Sequence, residues 1–327
     1  MKHPLTFAPL SSAAAIALLA GCGGFQSGPP GAPAASALAH RTGSRPAPVG
    51  PLLYISDAGT GQVQVFNYPA GALYQTLSGF SLPGGECKDP ANNVYVTDAG
   101  TSTIVEYAHG SATPLSVLSD PGQLPVACAV KTTPVYTVAI ANVATTSGPP
   151  GSVSVYLNHA TSPNFVYSNT AAFWAVNYLG YYIGALYLDG TTSSGGFQFG
   201  KMTNSGTITP IAVTGPGGAP AAPGGVQHPP WNVPYIAVGD SAGSKIYHIQ
   251  TNGYSILSTP NSPTVLTGTC NNILQFFLVK IGPMQHEVIN PERCLALTGV
   301  YKFPAGGPSG YNYTTSLVNP VGAVVSP

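Results

Sequence analysis

Two stretches near the start of the chain, LLYISDAGTGQVQVFNYPAG (52–71) and NVYVTDAGTSTIVEYAHG (93–110), follow the same plan. In each, a run of alternating apolar residues ends in Asp and is followed by Ala-Gly-Thr; a second alternating run then leads to a Tyr and a glycine-bearing turn. Alternation with a period of two is the pattern of a β-strand, and the glycines mark tight turns. Each stretch therefore predicts a pair of strands, and their similarity predicts a repeat protein.

The repeat continues along the chain. Tyr54 and Tyr95 are 41 residues apart, and Tyr136 lies another 41 residues on. Weaker copies of the first run stand at 185–189, 235–240 and 274–278, and the second run recurs at 62–68, 103–107, 152–157, 196–201, 244–249 and 298–303. A period of 40 to 50 residues with turn punctuation is typical of a β-propeller. We predict six blades, with seven as the alternative.

The end of the chain supplies a missing piece of the first unit. A short stretch precedes the first run in the later units, but none precedes Leu52; its counterpart is NPVGAVV (319–325), which aligns with LPVACAV (124–130). We therefore expect the C-terminal strand to pair with the N-terminal one, because closure of the ring removes two exposed sheet edges. The prediction is an all-β propeller over residues 51–327, with four-stranded antiparallel blades.

The repeated Y-x-x-D-A-G pattern with its second run resembles the NHL and related six-bladed propeller families over most of residues 51–327. The resemblance implies the fold and says little about activity. The sequence departs from it in two ways. Ala139 stands where the third unit should carry Asp, and the Asn-Arg pair of such repeats is replaced, for example by Gly61-Gln62.

The N-terminus predicts export. Lys2 and His3 precede an apolar stretch that ends in Leu19-Ala20-Gly21-Cys22, which resembles the lipobox of bacterial lipoproteins. The resemblance implies a signal peptide over 1–21 and diacylglycerol on Cys22, which would hold the protein on a membrane surface. Residues 22–50 are rich in Gly, Pro and Ala and predict a disordered tether. We expect a lipid-anchored protein of the bacterial cell envelope, at the outer membrane or cell surface.

The charge content limits the partners. The chain carries 10 Lys and Arg against 10 Asp and Glu, and charged residues make up 6% of it. Binding of nucleic acid needs a basic patch, which so few cations do not provide. A neutral glycan or a protein suits such a surface better, and we expect the protein to be a monomer.

Two sets of repeated residues have structural interpretations. The Asp residues that end the first runs should accept backbone N–H bonds at the turns rather than share a metal ion. The aromatic residues of the second runs should pack between blades. The two sets are Asp57, Asp98, Asp189 and Asp240, and Phe66, Tyr107, Tyr156, Phe199, Tyr247 and Tyr301.

Four cysteines follow Cys22, and export favours disulfides. Cys270 and Cys294 lie in one blade and are the expected pair. Cys87 and Cys128 occupy equivalent positions of adjacent units, and they could bond only near the axis, where inner strands converge.

Polar residues at the starts of several units would converge on a central funnel, which is where propellers build sites. The candidates are Glu86, Asn177, His228 and Asn271. A Glu-Asn-Asn-Asp metal cluster is the arrangement in lactonase-type six-bladed families, and this chain offers Glu and Asn without an aligned Asp. We assign no catalytic residue, no metal ligand and no cofactor.

Three functions follow from these features. The first is a surface-anchored, non-enzymatic propeller that binds a protein or a neutral glycan. The second is a metal-dependent hydrolase or lactonase, in which a divalent ion in the channel would activate water. The third is a structural subunit of an envelope complex. The fold by itself does not choose among them.

Overall fold

Short β-strands provide nearly all the regular structure. The structure, a computed structural model, describes residues 50–168, 173–213, 218–231, 233, 235–250, 263–270, 272–283 and 285–327. The predicted signal peptide, Cys22, the tether up to residue 49 and Asn271 lie outside the described residues. Within the described ranges the one helical element is the 3₁₀ turn Arg293–Leu295, and no helix there is long and apolar enough to cross a membrane.

The strands form six sheets. The strands of the first three units are β1 (Leu52–Asp57), β2 (Gln62–Asn67), β3 (Leu73–Leu77), β4 (Pro83–Lys88), β5 (Val94–Asp98), β6 (Thr103–Tyr107), β7 (Pro114–Ser119), β8 (Gln123–Lys131), β9 (Thr137–Thr145), β10 (Ser152–Leu157) and β11 (Phe165–Ser168). Those of the last three are β12 (Ala175–Tyr182), β13 (Ala185–Thr191), β14 (Phe197–Met202), β15 (Ile208–Ile211), β16 (Pro223–Gln227), β17 (Tyr235–Asp240), β18 (Lys245–Gln250), β19 (Thr264–Thr267), β20 (Phe277–Lys280), β21 (His286–Glu292), β22 (Leu297–Phe303), β23 (Gly307–Pro308), β24 (Tyr311–Tyr313) and β25 (Pro320–Ser326).

Each sheet is one blade of a six-bladed propeller. From the inner to the outer strand, blade one is β25-β1-β2-β3, blade two β4-β5-β6-β7, blade three β8-β9-β10-β11, blade four β12-β13-β14-β15, blade five β16-β17-β18-β19 and blade six β20-β21-β22-β24. All pairings inside these four-stranded blades are antiparallel. Blade five gains a fifth strand, because β23 pairs in parallel with β19. The predicted fold class and blade number are confirmed.

The two ends of the chain close the ring. β25 runs antiparallel to β1, with Leu52 opposite Ser326 and Ile55 opposite Ala323. A register shift occurs at the end of the pair, between Ser56 and Asp57. The pairing satisfies backbone groups of the first and last strands that would otherwise need other partners. The predicted closure is therefore confirmed.

Both faces of each blade are covered by neighbouring blades, so the second strands are largely buried, and β1, β5 and β17 are buried along their whole length. All six residues of β1 are buried, polar Ser56 and Asp57 included. Leu52 and Tyr54 of blade one pack in one cluster with Val94 and Val96 of blade two. The six aromatic residues of the second runs all belong to buried clusters of this kind, which confirms their predicted packing role.

The turn carboxylates bind backbone N–H groups as predicted in four blades. Asp57 accepts bonds from the backbone N–H groups of Val318 and Asn319 at 2.6 and 2.9 Å. Asp98 accepts bonds from Ser81 and Leu82 at 2.9 and 2.7 Å.

Asp240 of blade five and Asp189 of blade four fill the same role. Asp240 accepts a bond from the N–H of Ala222 at 3.1 Å. Asp189 bonds the N–H of Tyr178 in its own blade and that of Gly224 in blade five, so it ties two blades together.

Two units are phased differently from the sequence prediction. In blade three, Asn142 pairs with Pro125, and in blade two Asp98 pairs with Pro83 in the same way. Asn142, and not Ala139, therefore occupies the position of the turn Asp in blade three. In blade six, the run at 274–278 leads into the inner strand, and the true first run is β21. The apolar 274–278 run suggested a buried second strand, whereas β21 contains polar Asn290 and Glu292, which are buried with hydrogen-bond partners.

Candidate functional site

The inner strands of the blades surround the propeller axis, and small residues let them approach closely. Blades two and five both begin with Pro-Gly-Gly, at 83–85 and 223–225. A Cβ added to Gly85 would lie 2.7 Å from the Val126 carbonyl oxygen of blade three, and one added to Gly225 would lie 3.0 Å from the Leu274 carbonyl oxygen. The backbones therefore meet at this level without room for side chains.

The side chain of Gln275 crosses this level and ties blade six to blade two. Its Oε1 accepts a bond from the backbone N–H of Glu86 at 2.6 Å, and its Nε2 donates to the Glu86 carbonyl oxygen. Blade one lies between these two blades in the ring, so the bonds pass across the centre. Gln275 is buried and completes the floor of the site. Gln275 was not among the predicted site residues, because the run at 274–278 was assigned to the second strand of blade six, whereas it leads into the inner strand β20.

A cavity of about 230 Å³ lies on the axis above this floor. Five inner strands or their flanks line it. The lining includes Glu86, Lys88, Tyr178, Tyr181, Gln227, His228, Gln275 and Phe277, together with Cys87 and Cys128. Glu86 and His228, two of the predicted funnel residues, thus belong to one cavity.

The other two predicted residues do not join them in the structure. Asn177 lies at a register shift between Val176 and Tyr178, and it is absent from the cavity lining although Tyr178 belongs to it. Asn177 has no partner residue on β13, because the register shifts there and interrupts the alternation of side chains along β12. The Asn177 Oδ1 is buried and has no hydrogen-bond partner. Asn271 lies outside the described residues.

Glu86 is a buried acid held in its neutral form. Its side chain is 1% exposed, and the Ser56 hydroxyl donates to its Oε1 at 2.6 Å. Burial raises the pKa of Glu86 to about 8, against smaller opposite effects of the bonds from Ser56 and the Val324 backbone. Its Oε2 is buried without a partner. Glu86 therefore carries no charge over most of the neutral pH range.

The two basic groups of the cavity are also shifted towards their neutral forms. Burial lowers the pKa of Lys88, and the nearby Asp89 carboxylate offsets part of that effect. The Lys88 Nζ donates to the Asn92 Oδ1 at 3.3 Å. Burial likewise lowers the pKa of His228, whose Nε2 lies 3.3 Å from the Val233 carbonyl oxygen. Because a carbonyl oxygen only accepts, this nitrogen carries the proton.

Aromatic side chains form the blade-four side of the cavity. Tyr181 lines it, and the Lys131 Nζ lies 5.0 Å from the centre of the Tyr181 ring. Tyr182 stacks on His228 with ring centres 4.4 Å apart. The hairpin then turns at Ile183, whose side chain is 84% exposed. The cavity therefore has an aromatic wall beside an exposed hairpin.

The wall also contains a disulfide between two blades. Cys87 of β4 is bonded to Cys128 of β8, with Cα atoms 5.5 Å apart. Cys128 pairs with Ile140 in blade three in the same way that Glu86 pairs with Val96 in blade two. Cys128 is therefore the counterpart of Glu86, and Cys87 lies one residue further along its own strand. The predicted equivalence was wrong, and the offset explains the bond. Since side chains alternate, it turns Cys87 and Cys128 towards each other across the gap between their blades.

The second disulfide joins Cys270 to Cys294 inside blade six, with Cα atoms 5.9 Å apart. It links the segment before β20 to the 3₁₀ turn between β21 and β22. This is the pair expected from their places in one blade.

The donor groups do not assemble a metal centre of the lactonase type. In the described part of the chain, no three His, Cys, Asp or Glu side chains come close enough together to hold a metal ion. Glu86 is neutral and bonded to Ser56, and Asn177 is not part of its cavity. Among the described residues, Glu86 and Asn177 therefore do not come together in the arrangement of the lactonase-type families.

Comparison with known proteins confirms the fold. No protein-family model and no curated protein sequence matches the chain. A structure from a nidogen/laminin complex is similar at a TM-score of 0.61 and 10% identity, covering 85% of this chain and 99% of that one. A protein of unknown function from Bacteroides caccae is similar at a TM-score of 0.54 and 9% identity, with coverages of 85% and 99%.

A third similar structure is that of the dihydro-heme d1 dehydrogenase NirN in complex with DHE. Its TM-score is 0.51 at 12% identity, and the match covers 84% of this chain and 56% of that one. At such identities these likenesses concern the fold alone.

Proposed function

We propose that this protein is a non-enzymatic binding protein whose central cavity receives an uncharged, polar group of a neutral glycan or of a protein partner. The observation that carries the proposal is the electrostatic state of the cavity. Glu86, Lys88 and His228 all have pKa values shifted towards their uncharged forms. The neutral, buried Glu86 offers a cationic ligand no counter-charge to offset the loss of its hydration, whereas hydroxyl and amide groups could form hydrogen bonds with it.

The cavity is small, which limits what can enter it. Its volume of about 230 Å³ is below the range of roughly 300–1,000 Å³ that is usual for sites of drug-sized ligands. It suits one sugar ring or one side chain, so the rest of the partner would lie on the surface around it. The exposed hairpin at Ile183 and the aromatic wall at Tyr181 offer apolar contacts there.

The cellular setting of the proposal is the envelope. The lipobox-like Leu19-Ala20-Gly21-Cys22 supports export and a lipid anchor on Cys22, and two disulfides suit an oxidising compartment. The nidogen/laminin structure comes from a complex of two proteins, which is compatible with a binding role. We propose a monomer that is tethered to the outer membrane or cell surface and presents its funnel to a partner.

A glycan array followed by calorimetry with the mature protein tests the proposal. Tyr181→Ala should weaken binding of a neutral oligosaccharide about fivefold, because loss of one aromatic contact costs roughly 1 kcal/mol. Tyr74→Ala is the matched control, since Tyr74 is 40% exposed on outer strand β3, away from the cavity. If no neutral glycan or envelope protein binds, or if both variants weaken binding equally, the proposal is wrong.

A structural subunit of an envelope complex is the second candidate. The observation that favours it is a group of exposed apolar side chains on the outer strands of blades one to three, namely Leu73, Tyr74, Leu115, Phe165 and Val166. In that case Leu115→Ser and Phe165→Ser should abolish capture of a partner that Tyr181→Ala leaves unchanged. Cross-linking of the mature protein in intact envelopes would distinguish the two functions.

A further inference from the structure

A row of four oxygen atoms connects blade two to blade three close to the cavity. The Tyr95 hydroxyl on β5 lies 2.8 Å from the Glu106 Oε1 on β6. The same hydroxyl lies 2.5 Å from that of Tyr136, which stands just before β9 of blade three. The Tyr136 hydroxyl in turn lies 3.1 Å from the Asp89 Oδ2 of blade two. Every contact in the row is within hydrogen-bond distance.

The row needs three hydrogen atoms, one for each contact between oxygens. The two phenols supply two, and ionised carboxylates supply none. We propose that Asp89 and Glu106 hold one shared proton, carried on Glu106, and that this proton fastens blade two to blade three. With it, Glu106 donates to Tyr95, Tyr95 donates to Tyr136, and Tyr136 donates to Asp89.

The surroundings assign the proton to Glu106. The Asp89 Oδ1 accepts a bond from the Asn93 backbone N–H, and its Oδ2 accepts one from the Asn93 side chain, both at 2.9 Å. These donors suit an ionised carboxylate. Glu106 is 8% exposed, and burial, with a smaller contribution from the charge of Asp89, raises its pKa against the opposite effect of the Tyr95 hydrogen bond.

Two basic groups also face the row. His159 stacks on Tyr136 with ring centres 3.9 Å apart, and its electrostatic interaction with Glu106 acts to lower the pKa of that carboxyl. Lys88 interacts electrostatically with Asp89, and that interaction raises the pKa of Lys88. The basic groups thus support one negative charge in the row, while the repulsion between the two carboxylates opposes a second.

Removal of the proton by base breaks the link between the blades. Tyr95 then rotates its hydrogen towards the Glu106 carboxylate, while Tyr136 keeps donating to Asp89. The Tyr95 and Tyr136 oxygens are left facing each other without a hydrogen between them and repel. This contact crosses from blade two to blade three, so the gap between these blades should loosen as the pH rises.

Infrared spectroscopy of the mature protein tests the proton directly. Glu86→Gln serves as the background, since neutral Glu86 would add a carboxyl band of its own. At pH 6, the difference spectrum between this background and the same chain with Glu106→Gln should show the loss of one protonated carboxyl band. The same band should disappear from the spectrum of the Glu86→Gln variant as the pH is raised. An unchanged spectrum would overturn the proposal.

A second variant keeps the test sound if Glu106→Gln fails to fold. Tyr136→Phe preserves the stack on His159 and removes one phenol, so Tyr95 can donate to an ionised Glu106 and no proton is required. The Glu106 band should then titrate at lower pH. Tyr301→Phe is the control, because Tyr301 donates to Glu292 at 3.1 Å in blade six without an intervening second phenol. An unshifted band in Tyr136→Phe would contradict the proposal.

Discussion

The neutral state of Glu86 makes a quantitative prediction about stability. The pKa of this carboxyl rises from 4.5 to about 8 on folding because the side chain is fully buried. Below pH 4.5 both the folded and the unfolded states are protonated, so Glu86 has no cost there. As the pH rises, the unfolded state ionises first and the free energy of unfolding falls by about 1.4 kcal/mol for each pH unit. The loss is about 3 kcal/mol at pH 7 and nears 5 kcal/mol above pH 8.

Replacement of Glu86 by Gln removes this pH-dependent loss. Gln keeps an oxygen to accept the bond from Ser56, and it has nearly the same shape. We therefore expect Glu86→Gln to gain about 3 kcal/mol relative to wild type between pH 4 and pH 7. The assay is urea denaturation followed by circular dichroism at half-unit pH steps. Glu287→Gln on β21 is the matched control for the loss of one half-buried carboxyl.

The result that would refute the reasoning is a constant difference between Glu86→Gln and wild type from pH 4 to pH 9. That outcome would mean that Glu86 ionises equally in both states, and the uncharged cavity would lose its main support. A pH-dependent difference of the opposite sign would place Glu86 in an ion pair.

Three further predictions concern groups around the cavity and the blades. His248 is 2% exposed, and burial lowers its pKa from 6.5 to about 4. The stability that depends on neutral His248 is therefore fully present above pH 6.5 and is lost as the pH falls through 4. His248→Gln should remove about 3 kcal/mol of this acid destabilisation, measured as the difference between denaturant titrations at pH 4 and pH 7. Gln275→Ala leaves the backbone N–H and C=O of Glu86 without their partners and should lower the free energy of unfolding by about 1–3 kcal/mol. Gln62→Ala at the start of β2 is the control and should change it little. Equal unfolding midpoints for the two variants would contradict the bridging role of Gln275. The double variant Cys87→Ala and Cys128→Ala opens a link across 41 residues and should cost about 2–4 kcal/mol; calorimetry that shows no drop in Tm would mean that blades two and three are held by other contacts.

The sequence was sufficient for the architecture because the repeat carries its own register. The period of 41 residues, the turn aspartates and the C-terminal copy at 319–325 predicted the blade number and the closure by β25 and β1. Apolar runs were less reliable for deciding which stretch of sequence forms which strand within a single blade. In blade six they pointed to 274–278, although polar Asn290 and Glu292 lie in the buried second strand.

The site was predicted only in part, because its geometry depends on contacts between blades. Glu86 and His228 share the cavity, but the floor formed by Gln275 and the Cys87–Cys128 bond depend on which face each side chain presents. A shift of one residue reverses that face, and repeat alignment alone did not resolve it. The raised pKa of Glu86 comes from burial against blade one, which is a property of the assembled ring.

The most direct test of the proposed binding function is a crystal structure of the mature protein with the neutral oligosaccharide that ranks highest on the array. We predict density for one sugar ring on the propeller axis, against Tyr181 and above Gln275, with no charged group of the ligand inside the cavity. Density confined to the outer strands, or a metal ion bound by Glu86 in the cavity, would contradict the account.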